Sequence, residues 1–301
     1  MLNLEHISFT GTKPEGSGRS SKPPVPSRGV SFTPVMRNAH ALDEEHHPLV
    51  TEVLHQAGLP VRYYRVRVLA RRLAACQRLA GWRQKINSPA ELARRPVLAA
   101  AALNTLLIGV SGFFRDTTVF ETLERRVVPQ LAQGSRPLRI YVPGASAGQE
   151  VYSLAMLFAA VGALVRCEFV GVDCRPDAIA WARRGIYSEE ALEAVSGERR
   201  RRYFEPTGDG WRVDSALRSR TRWQAADVFQ FDAGATGLWD LISFRNVAIY
   251  LEPEFAERAW RRLCGQLAPG GFLVTGKAEM PAPDLPLRRV APCVYRKDLF
   301  A

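Results

Sequence analysis

The chain has no hydrophobic run long enough to cross a membrane. A membrane-spanning helix needs roughly 18 or more consecutive apolar residues, and no such run occurs in the 301 residues, although 47% of them are hydrophobic. The N-terminus also lacks the short apolar core that is typical of a secretory signal peptide. We therefore expect a cytoplasmic protein that does not insert into a membrane.

Cysteines are few and scattered along the chain. Disulfide frameworks and structural zinc sites need cysteines in pairs at short, regular spacings. The five cysteines are odd in number and form no CxxC pair: Cys76, Cys167, Cys174, Cys264 and Cys293. The sequence therefore predicts reduced, mostly buried thiols and no metal site.

Basic residues outnumber acidic residues, and most of the excess lies in one part of the chain. The formal net charge is +11. Residues 48–132 carry thirteen Lys and Arg against five Asp and Glu, whereas residues 1–47 carry five of each kind. A basic segment suits an acidic partner, either phosphate or a carboxylate-rich protein surface. A solvated basic helix face is the plain structural alternative.

Composition divides the chain into three segments. Residues 1–42 are rich in Gly, Pro, Ser and Thr without sustained periodicity, which predicts a disordered tail. Residues 43–132 have apolar residues at helical spacing and predict a basic helical domain. Its predicted second helix carries a row of arginines suited to an acidic substrate: Arg62, Arg65, Arg71 and Arg72, with Arg67 and Arg78 beside them.

Residues 133–301 alternate predicted strands with predicted helices. The strand-like segments are LRIYV, CEFVGV, LWDLISF and GFLVTG, and the helix-like segments are QEVYSLAMLFAAV, PDAIAWARR and PEFAERAWRRLCGQL. This order predicts an α/β fold with a doubly wound, mostly parallel sheet. A GDG turn between short β-like runs predicts a small β excursion at residues 203–223.

The segment LRIYVPGASAGQEVYS, residues 138–153, combines a strand, a glycine-containing loop and an acidic residue that opens a helix. Such a unit presents backbone N–H groups to a ligand. The loop lacks the GxGxxG spacing that lets a dinucleotide pyrophosphate approach closely. A cofactor without phosphates, with a cationic sulfonium and an amino-acid tail, suits Gln149 and Glu150 instead. S-adenosylmethionine fits this description.

Two further acidic residues follow predicted strands. Ligands of open α/β sheets bind beyond the carboxyl ends of the strands. Asp173 ends CEFVGV, where its carboxylate can accept hydrogen bonds from a ribose diol. Asp227 follows WQAA, where it can meet an adenine amino group. A helix-capping role is the alternative for both residues.

Six segments share their order and spacing with one known family. They are GVSGFFRD, VPGASAGQEVYSLAM, VGVDCRPDAIAWARRGIY, RRRYF, SFRNVAIYL and LAPGGFLVTGKAE. Over about residues 45–298 the chain resembles the chemotaxis receptor methyltransferases, the CheR family, and the combination of FFRD, RxGxY, RYF and RNVxIY is specific to them. The resemblance implies S-adenosylmethionine-dependent O-methylation of glutamate side chains on chemoreceptors, with S-adenosylhomocysteine as product.

The resemblance also implies roles for individual residues. Arg115 would orient the carboxylate or the cofactor tail, and Tyr250 would line the methyl-transfer site; a salt bridge and a core position are the structural alternatives. The basic helix would dock the acidic methylation region of a receptor helix bundle, and we expect a monomer. The implied cofactor-binding positions are Ser111, Arg115, Gly144, Gly148, Gln149, Glu150, Asp173, Asp227, Val228, Arg245 and Asn246.

Three cofactor-lining segments depart from the family pattern. Gly109 replaces the Asn of an Asn-x-Thr before FFR, Gln149 replaces the first acid of a Gly-Glu-Glu, and Arg175 replaces the second acid of an Asp-x-Asp. These changes predict a neutral residue at the cofactor's ammonium group. A catalytically silent cofactor-binding or receptor-binding relative is therefore the main alternative. A nucleic-acid methyltransferase is a third hypothesis, disfavoured because the chain lacks an Asn-Pro-Pro-Tyr motif and an aromatic-interleaved basic patch.

Overall fold

The structure is a computed structural model of the chain and describes residues 47–74, 86, 88–107, 111–231 and 237–299. These residues belong to one compact unit, residues 41–301. The predicted disordered tail, Cys76, Arg78 and Gly109 lie outside the described residues. In the described ranges, none of the helices is both long and apolar enough to span a membrane.

Short helices occupy the N-terminal part of the unit. Proline opens three of them, where its missing N–H has no intrahelical partner to lose, and the Ser88 hydroxyl caps one by accepting the Glu91 N–H at 3.2 Å. The helices are α1 Pro48–Gln56, α2 Val66–Ala70, α3 Pro89–Ala93, α4 Pro96–Leu106, α5 Thr117–Thr122 and α6 Val128–Leu131, with a 3₁₀ turn at Val61–Tyr63 and a π-helical turn at Leu123–Val127 between α5 and α6.

The basic segment differs from the single helix that its periodicity predicts. Arg62 lies in the 3₁₀ turn and Arg65 is the N-cap of α2. Between them Tyr64 is extended, because it forms an isolated antiparallel bridge with Leu251. Helix α2 ends at Ala70. The prediction of one helix starting at Arg62 is therefore wrong, since pairing with a distant segment overrides the local pattern.

A seven-stranded sheet within the described residues has the order β6-β2-β1-β7-β8-β10-β9. Its strands are β1 Leu138–Pro143, β2 Cys167–Asp173, β6 Thr221–Ala225, β7 Trp239–Phe244, β8 Leu267–Thr275, β9 Leu287–Ala291 and β10 Val294–Lys297. Strands β6, β2, β1, β7 and β8 pair in parallel, whereas β10 pairs antiparallel with both β8 and β9. The predicted α/β class with a mostly parallel sheet is confirmed.

The remaining helices connect these strands. They are α7 Gln149–Ala160, α8 Pro176–Arg184, α9 Gly197–Tyr203, α10 Ser215–Arg218 and α11 Pro253–Gln266, with 3₁₀ turns at Leu164–Arg166, Glu190–Leu192 and Ala248–Tyr250. A small separate sheet has the order β3-β5-β4, formed by Ile186–Tyr187, Gly210–Val213 and Phe204–Thr207. Residues 221–223, which the sequence places in the β excursion, lie instead in β6 at the edge of the main sheet.

Both faces of the main sheet are buried. Successive side chains of a strand point to opposite faces, and along β1 Tyr141 belongs to one apolar cluster while Ile140 and Val142 belong to the other. The first cluster includes buried residues of α1, α2, α4 and α11. The second includes residues of α5, α6, α7 and the small sheet. The N-terminal helices therefore cover one face of the sheet and share its core.

Candidate functional site

A cavity lies beyond the carboxyl ends of β1, β2, β6 and β7. The polar groups of four strand ends meet there because parallel strands end at the same edge. Nine sequence-predicted residues line it: Ser111, Arg115, Gly144, Glu150, Asp173, Val228, Arg245, Asn246 and Tyr250. Lining residues that the prediction missed include Tyr64, Leu107, Ser146, Cys174 and Val247. Arg175, which the sequence marks as a departure from the family pattern, also lines the cavity.

The glycine loop after β1 forms one wall of this cavity. Gly144 has φ +77°, and a Cβ at this position would lie 2.2 Å from Cγ2 of Val247, so a side chain would press into the facing wall. Gly148 has another role. It does not line the cavity, and its Cβ would lie 2.8 Å from the Trp223 ring and 2.9 Å from Cβ of Ala182. We assign Gly148 to packing behind the loop.

The carboxylate of Asp173 is saturated by protein donors. Oδ1 accepts the Arg175 backbone N–H at 3.0 Å and the Arg175 Nε–H at 2.8 Å. Oδ2 accepts the Ser146 N–H at 2.8 Å and the Arg175 Nη2–H at 3.1 Å. The two side chains are 6% and 8% exposed. The residue expected to bind the ribose diol is therefore covered by the arginine that replaces the family's second acid.

Arg245 is the centre of a charged network on the other side of the cavity. Its Nη1 donates to Glu150 Oε2 at 2.7 Å, and its Nη2 donates to Asp116 Oδ2 at 2.8 Å and to the Arg115 carbonyl at 2.9 Å. Glu150 also accepts the Ser243 hydroxyl at 2.6 Å. Glu150 is thus held in place at the cavity wall by strand β7.

Asp116 connects this network to the segment after β8. Its Oδ1 lies 3.0 Å from Lys277 Nζ. Burial alone would raise the pKa of the Asp116 carboxyl, but the hydrogen bond from Lys277 and the charges of Arg245, Lys277 and Arg115 hold it below its usual value. Asp116 is therefore ionised near neutral pH and fixes the backbone that carries Arg115.

Gln149 lies beside the cavity rather than in its lining. Its side-chain oxygen accepts the Ser111 hydroxyl at 2.9 Å, and the cavity is lined by Glu150 and Ser111 but not by Gln149. The acid that faces the cavity is therefore retained in this chain. The prediction that a neutral residue replaces the acid at the ammonium position does not agree with this arrangement, because the side chains of neighbouring helix residues point in different directions.

Glu279 organises the loop after β7, and sequence reasoning missed it. Its buried carboxylate accepts four backbone N–H groups, from Asn246 at 2.6 Å, Gly276 at 2.8 Å, Val247 at 2.9 Å and Ile249 at 3.3 Å. Burial raises the pKa of the Glu279 carboxyl, and the four N–H groups oppose that rise. The acid at the end of LAPGGFLVTGKAE was the available signal.

Tyr64 brings the N-terminal region into the site. It lines the cavity, and its hydroxyl donates to Asp227 Oδ2 at 3.1 Å. Burial, followed by the nearby Cys174 and Asp227, raises the pKa of Tyr64 well above its ordinary value, so the phenol keeps its proton. Asp227 also accepts the Phe229 N–H at 2.7 Å and does not line the cavity. Asp227 therefore caps the turn that follows it, not a helix, and this role describes it better than direct contact with adenine, although its neighbour Val228 does line the cavity.

Tyr250 is joined to the basic segment by its side chain and its backbone. Its hydroxyl accepts a hydrogen bond from Arg72 Nη1 at 3.1 Å, and its carbonyl accepts the Arg65 N–H at 2.8 Å. The side chains of Arg62, Arg65 and Arg71 are exposed, whereas Arg72 is partly buried. The four predicted substrate-binding arginines thus divide into three at the surface and one that supports Tyr250.

The cavity fits a ligand with a cationic centre, a carboxylate and a flat apolar part. Glu150 supplies a fixed negative charge, and the Arg115 guanidinium makes no hydrogen bond or salt bridge with the described residues. The Nε of Arg245 is buried without a hydrogen-bond partner in the described chain. Val172 and Val228 supply apolar wall. The Arg175–Asp173 pair is the one feature that a ribose would have to displace. Among the described residues, no group of three or more potential ligands could hold a metal ion.

Comparison with known proteins agrees with this site. The family model "CheR methyltransferase, SAM binding domain" matches residues 109–285. A "Chemotaxis protein methyltransferase 1" of Pseudomonas aeruginosa is 34% identical over 211 residues, covering 65% of this chain and 77% of that protein. A "Chemotaxis protein methyltransferase" of Vibrio parahaemolyticus is 31% identical over 193 residues, covering 62% of this chain and 70% of that protein.

Among solved structures, the N-methyltransferase NodS from Bradyrhizobium japonicum, in complex with S-adenosyl-L-homocysteine, aligns with a TM-score of 0.31 and 24% identity, covering 52% of this chain and 61% of that chain. The family match includes the glycine loop, Asp173 and Arg245, which line the cavity described above, and Glu279, which shapes the loop after β7. S-adenosyl-L-methionine is accordingly the cofactor of this protein, and the chain belongs to the CheR methyltransferase family.

Proposed function

We propose that the protein transfers a methyl group to glutamate side chains of an acidic, helical, chemoreceptor-type protein. The observation that carries the proposal is the position of Tyr64, between the cofactor cavity and the exposed arginines of the basic segment. This residue lines the cofactor cavity, while the neighbouring Arg62 and Arg65 are exposed and the Arg65 N–H is bonded to the Tyr250 carbonyl at 2.8 Å. A carboxylate-rich partner bound by these arginines would lie next to the site of methyl transfer.

The reaction asks little acid–base chemistry of the protein. A glutamate carboxylate has a pKa of about 4.3 and is ionised near neutral pH, so no general base has to remove a proton. S-adenosyl-L-methionine supplies a methyl group activated on a sulfonium. The protein has to orient the carboxylate, and positioning of this kind can contribute about 7 to 11 kcal/mol.

Arg115 is our choice for orienting the substrate carboxylate. Its backbone is fixed, because its carbonyl accepts the Nη2–H of the buried Arg245 at 2.9 Å. Its guanidinium lines the cavity and makes no hydrogen bond or salt bridge within the described chain. A guanidinium matches a carboxylate in bidentate geometry. Arg115 therefore has a fixed backbone and a side chain that is available to bind an anion.

Arg72 acts as a positioning residue for Tyr250. Its Nη1 donates to the Tyr250 hydroxyl at 3.1 Å and to the Leu106 carbonyl at 3.2 Å. These contacts direct Arg72 inward. We therefore assign partner docking to Arg62, Arg65 and Arg71, and the orientation of Tyr250 at the transfer site to Arg72.

The test is transfer of labelled methyl groups to chemoreceptor cytoplasmic fragments, read out as base-labile label, since methyl esters hydrolyse in base. A fragment with Gln at the acceptor positions serves as the negative substrate. The triple variant R62A/R65A/R71A is expected to raise KM for the fragment at least tenfold with kcat within about twofold. The control R183A/R184A/R258A removes the same charge from exposed arginines elsewhere and is expected to leave KM unchanged.

The saturated Asp173 carboxylate is the specific observation that favours the second candidate, a silent cofactor-binding relative. Calorimetry with S-adenosylhomocysteine on the same preparation separates the two. Cofactor binding together with ester formation supports the enzyme. Binding without transfer to any fragment would establish the silent relative. An equal rise in KM in both triple variants would reject the docking role of the three arginines.

A further inference from the structure

A second cavity lies at the antiparallel edge of the main sheet. We call it the arginine pocket, and it is lined by Thr122, Arg126, Val127, Gln130, Phe272, Arg288, Val290, Ala291 and Arg296. It shares no lining residue with the cofactor cavity. Three separate elements supply its arginines: the π-helical turn Leu123–Val127, strand β9 and strand β10.

The arginines of this pocket have no acidic neighbour among its lining residues. The guanidinium groups of Arg126 and Arg288 make no hydrogen bond or salt bridge with the described residues. Three positive charges around one cavity repel each other unless an anion joins them. Arg261, an exposed arginine of α11, shows the contrast, because it is paired with Glu257 and Asp284.

One of the three arginines is held in a defined orientation. The Nε of Arg296 donates to the Gly270 carbonyl at 3.0 Å, and its guanidinium carbon lies 5.4 Å from the centre of the Phe272 ring. The Nη groups remain for a ligand. An arginine anchored in this way loses little further entropy when it binds an anion.

The backbone that supplies Arg126 is also unusual. A π-helical turn interrupts the helical segment between α5 and α6, and π turns within α-helices are frequent at functional sites. Arg126 lies within this turn and lines the pocket, while its neighbour Arg125 does not. Likewise Arg288 of β9 lines the pocket and Arg289 does not.

The lining is apolar beneath the arginines. Val290 and Ala291 are half-buried and provide that surface, with the buried side chains of Val127 and Phe272 behind them. Inorganic phosphate alone would use only the guanidinium groups. A ligand with both a phosphate and an organic part would use the charged and the apolar surfaces together.

We propose that the arginine pocket binds a small organic phosphate, such as a nucleoside diphosphate, at a site separate from the S-adenosyl-L-methionine cavity. Arg126, Arg288 and Arg296 bind the phosphate oxygens, and Val290 and Ala291 contact the organic part. This inference does not depend on the identity of the methyl acceptor.

The test is isothermal titration of the full-length protein with ADP and with inorganic pyrophosphate at about 150 mM NaCl. Saturating S-adenosylhomocysteine is present, so that the nucleotide cannot enter the cofactor cavity. We expect saturable binding of one ADP per chain, and weaker binding of pyrophosphate. The double variant R126A/R288A is expected to lose at least tenfold in ADP affinity.

The matched control is R125A/R289A, which removes the same charge from the adjacent positions on the same two elements. It is expected to keep ADP affinity within about twofold of the unmodified protein. Equal losses in both double variants would show non-specific attraction and overturn the proposal. So would the absence of saturable ADP binding in the presence of S-adenosylhomocysteine, whether or not ADP binds when S-adenosylhomocysteine is left out.

Discussion

Arg175 is the residue that most distinguishes this cofactor cavity from the pattern of its family. A carboxylate has about four lone-pair positions, and all four on Asp173 are used, three of them by Arg175 and one by the Ser146 N–H. A ribose diol can reach Asp173 only by displacing the guanidinium. If the cofactor ribose binds Asp173, as the sequence predicts, cofactor binding includes the cost of breaking this buried ion pair.

Replacing Arg175 with Ala is expected to strengthen binding of S-adenosylhomocysteine about tenfold, because two acceptor positions of Asp173 become available to the ribose. A hydrogen bond to a charged group contributes about 1.5 to 3 kcal/mol, and 1.4 kcal/mol corresponds to a factor of ten. Calorimetric titration measures the change. Weaker binding in the variant would show that Arg175 itself contacts the cofactor.

The same substitution leaves Asp173 as a buried charge without its partner, which costs about 3 to 5 kcal/mol of stability in the ligand-free protein. If R175A does not fold, R175K gives the test, because an ammonium cannot span both carboxylate oxygens as a guanidinium does. Its affinity should lie between those of R175A and the unmodified protein. The control R184A changes an exposed arginine of the same helix and should leave affinity unchanged.

Gln149 can be tested in the same way, with the opposite expectation. Because Gln149 accepts the Ser111 hydroxyl and lies outside the cavity lining, a carboxylate in its place would keep that hydrogen bond. Q149E is therefore expected to change S-adenosylhomocysteine affinity less than about threefold. A tenfold gain would show that position 149 meets the ammonium group after all, as the sequence alone predicts.

At the scale of elements, the loop that joins β7 to α11 depends on Glu279. Oε2 accepts the N–H groups of Asn246 and Gly276, and Oε1 accepts those of Val247 and Ile249. Asn246 has a left-handed backbone, φ +58°, and such a conformation persists only where its surroundings fix it. Glu279 thus shapes the loop that presents Asn246 and Val247 to the cavity.

Glu279→Gln is expected to destabilise the protein by about 2 to 4 kcal/mol. The amide NH₂ would face two buried N–H donors that then lack an acceptor, and each unsatisfied group costs about 1 to 3 kcal/mol. Denaturant unfolding measures the change. The control E257Q alters an exposed glutamate paired with Arg261, where less than about 1 kcal/mol is expected. An equal loss of unfolding free energy in the two variants would contradict the organising role of Glu279.

The elements that the sequence predicts well are those whose pattern is local. Strands β1, β2 and β7 are mostly apolar runs, and α8 and α11 begin with proline and have one apolar face. The hairpin of β9 and β10 was missed because LRRVA and VYRK are short, charged edge segments. Their pairing depends on β8, which no local pattern in these segments reveals.

The cofactor cavity was also only partly predictable. The strand-end rule brought Gly144, Asp173 and Asn246 to one place because sheet topology alone fixes those positions. Tyr64 and Glu279 could not be found this way. Each lies in a segment far away in sequence from the loop it contacts. Tyr64 is placed by its isolated bridge with Leu251, and Glu279 by its hydrogen bonds from four backbone N–H groups.

At the scale of the whole molecule, the N-terminal helices and the sheet share one buried cluster. It contains Leu54 and Leu69 of the helices together with Trp239, Phe244 and Trp260 of the sheet and α11. Tyr64 pairs with Leu251 across the same boundary. A shared core makes separate melting of the two parts unfavourable, because either part alone would expose the other's apolar surface to water.

Leu69→Ala is therefore expected to lower the stability of the entire unit, by about 2 to 5 kcal/mol, since Leu69 is fully buried. Far-UV circular dichroism and tryptophan fluorescence, to which Trp239 and Trp260 contribute, should follow one coincident transition at a lower temperature. S-adenosylhomocysteine should raise the transition temperature of both signals together, because Tyr64 and Leu107 from the helical region line the cofactor cavity.

The control V97A alters an exposed side chain of α4 and should shift the transition temperature little. A different result would be loss of the circular dichroism signal at a much lower temperature than the fluorescence change, with cofactor affinity intact. The helical region and the sheet would then unfold independently. In that case no common core would fix the position of the docking arginines relative to the cofactor cavity.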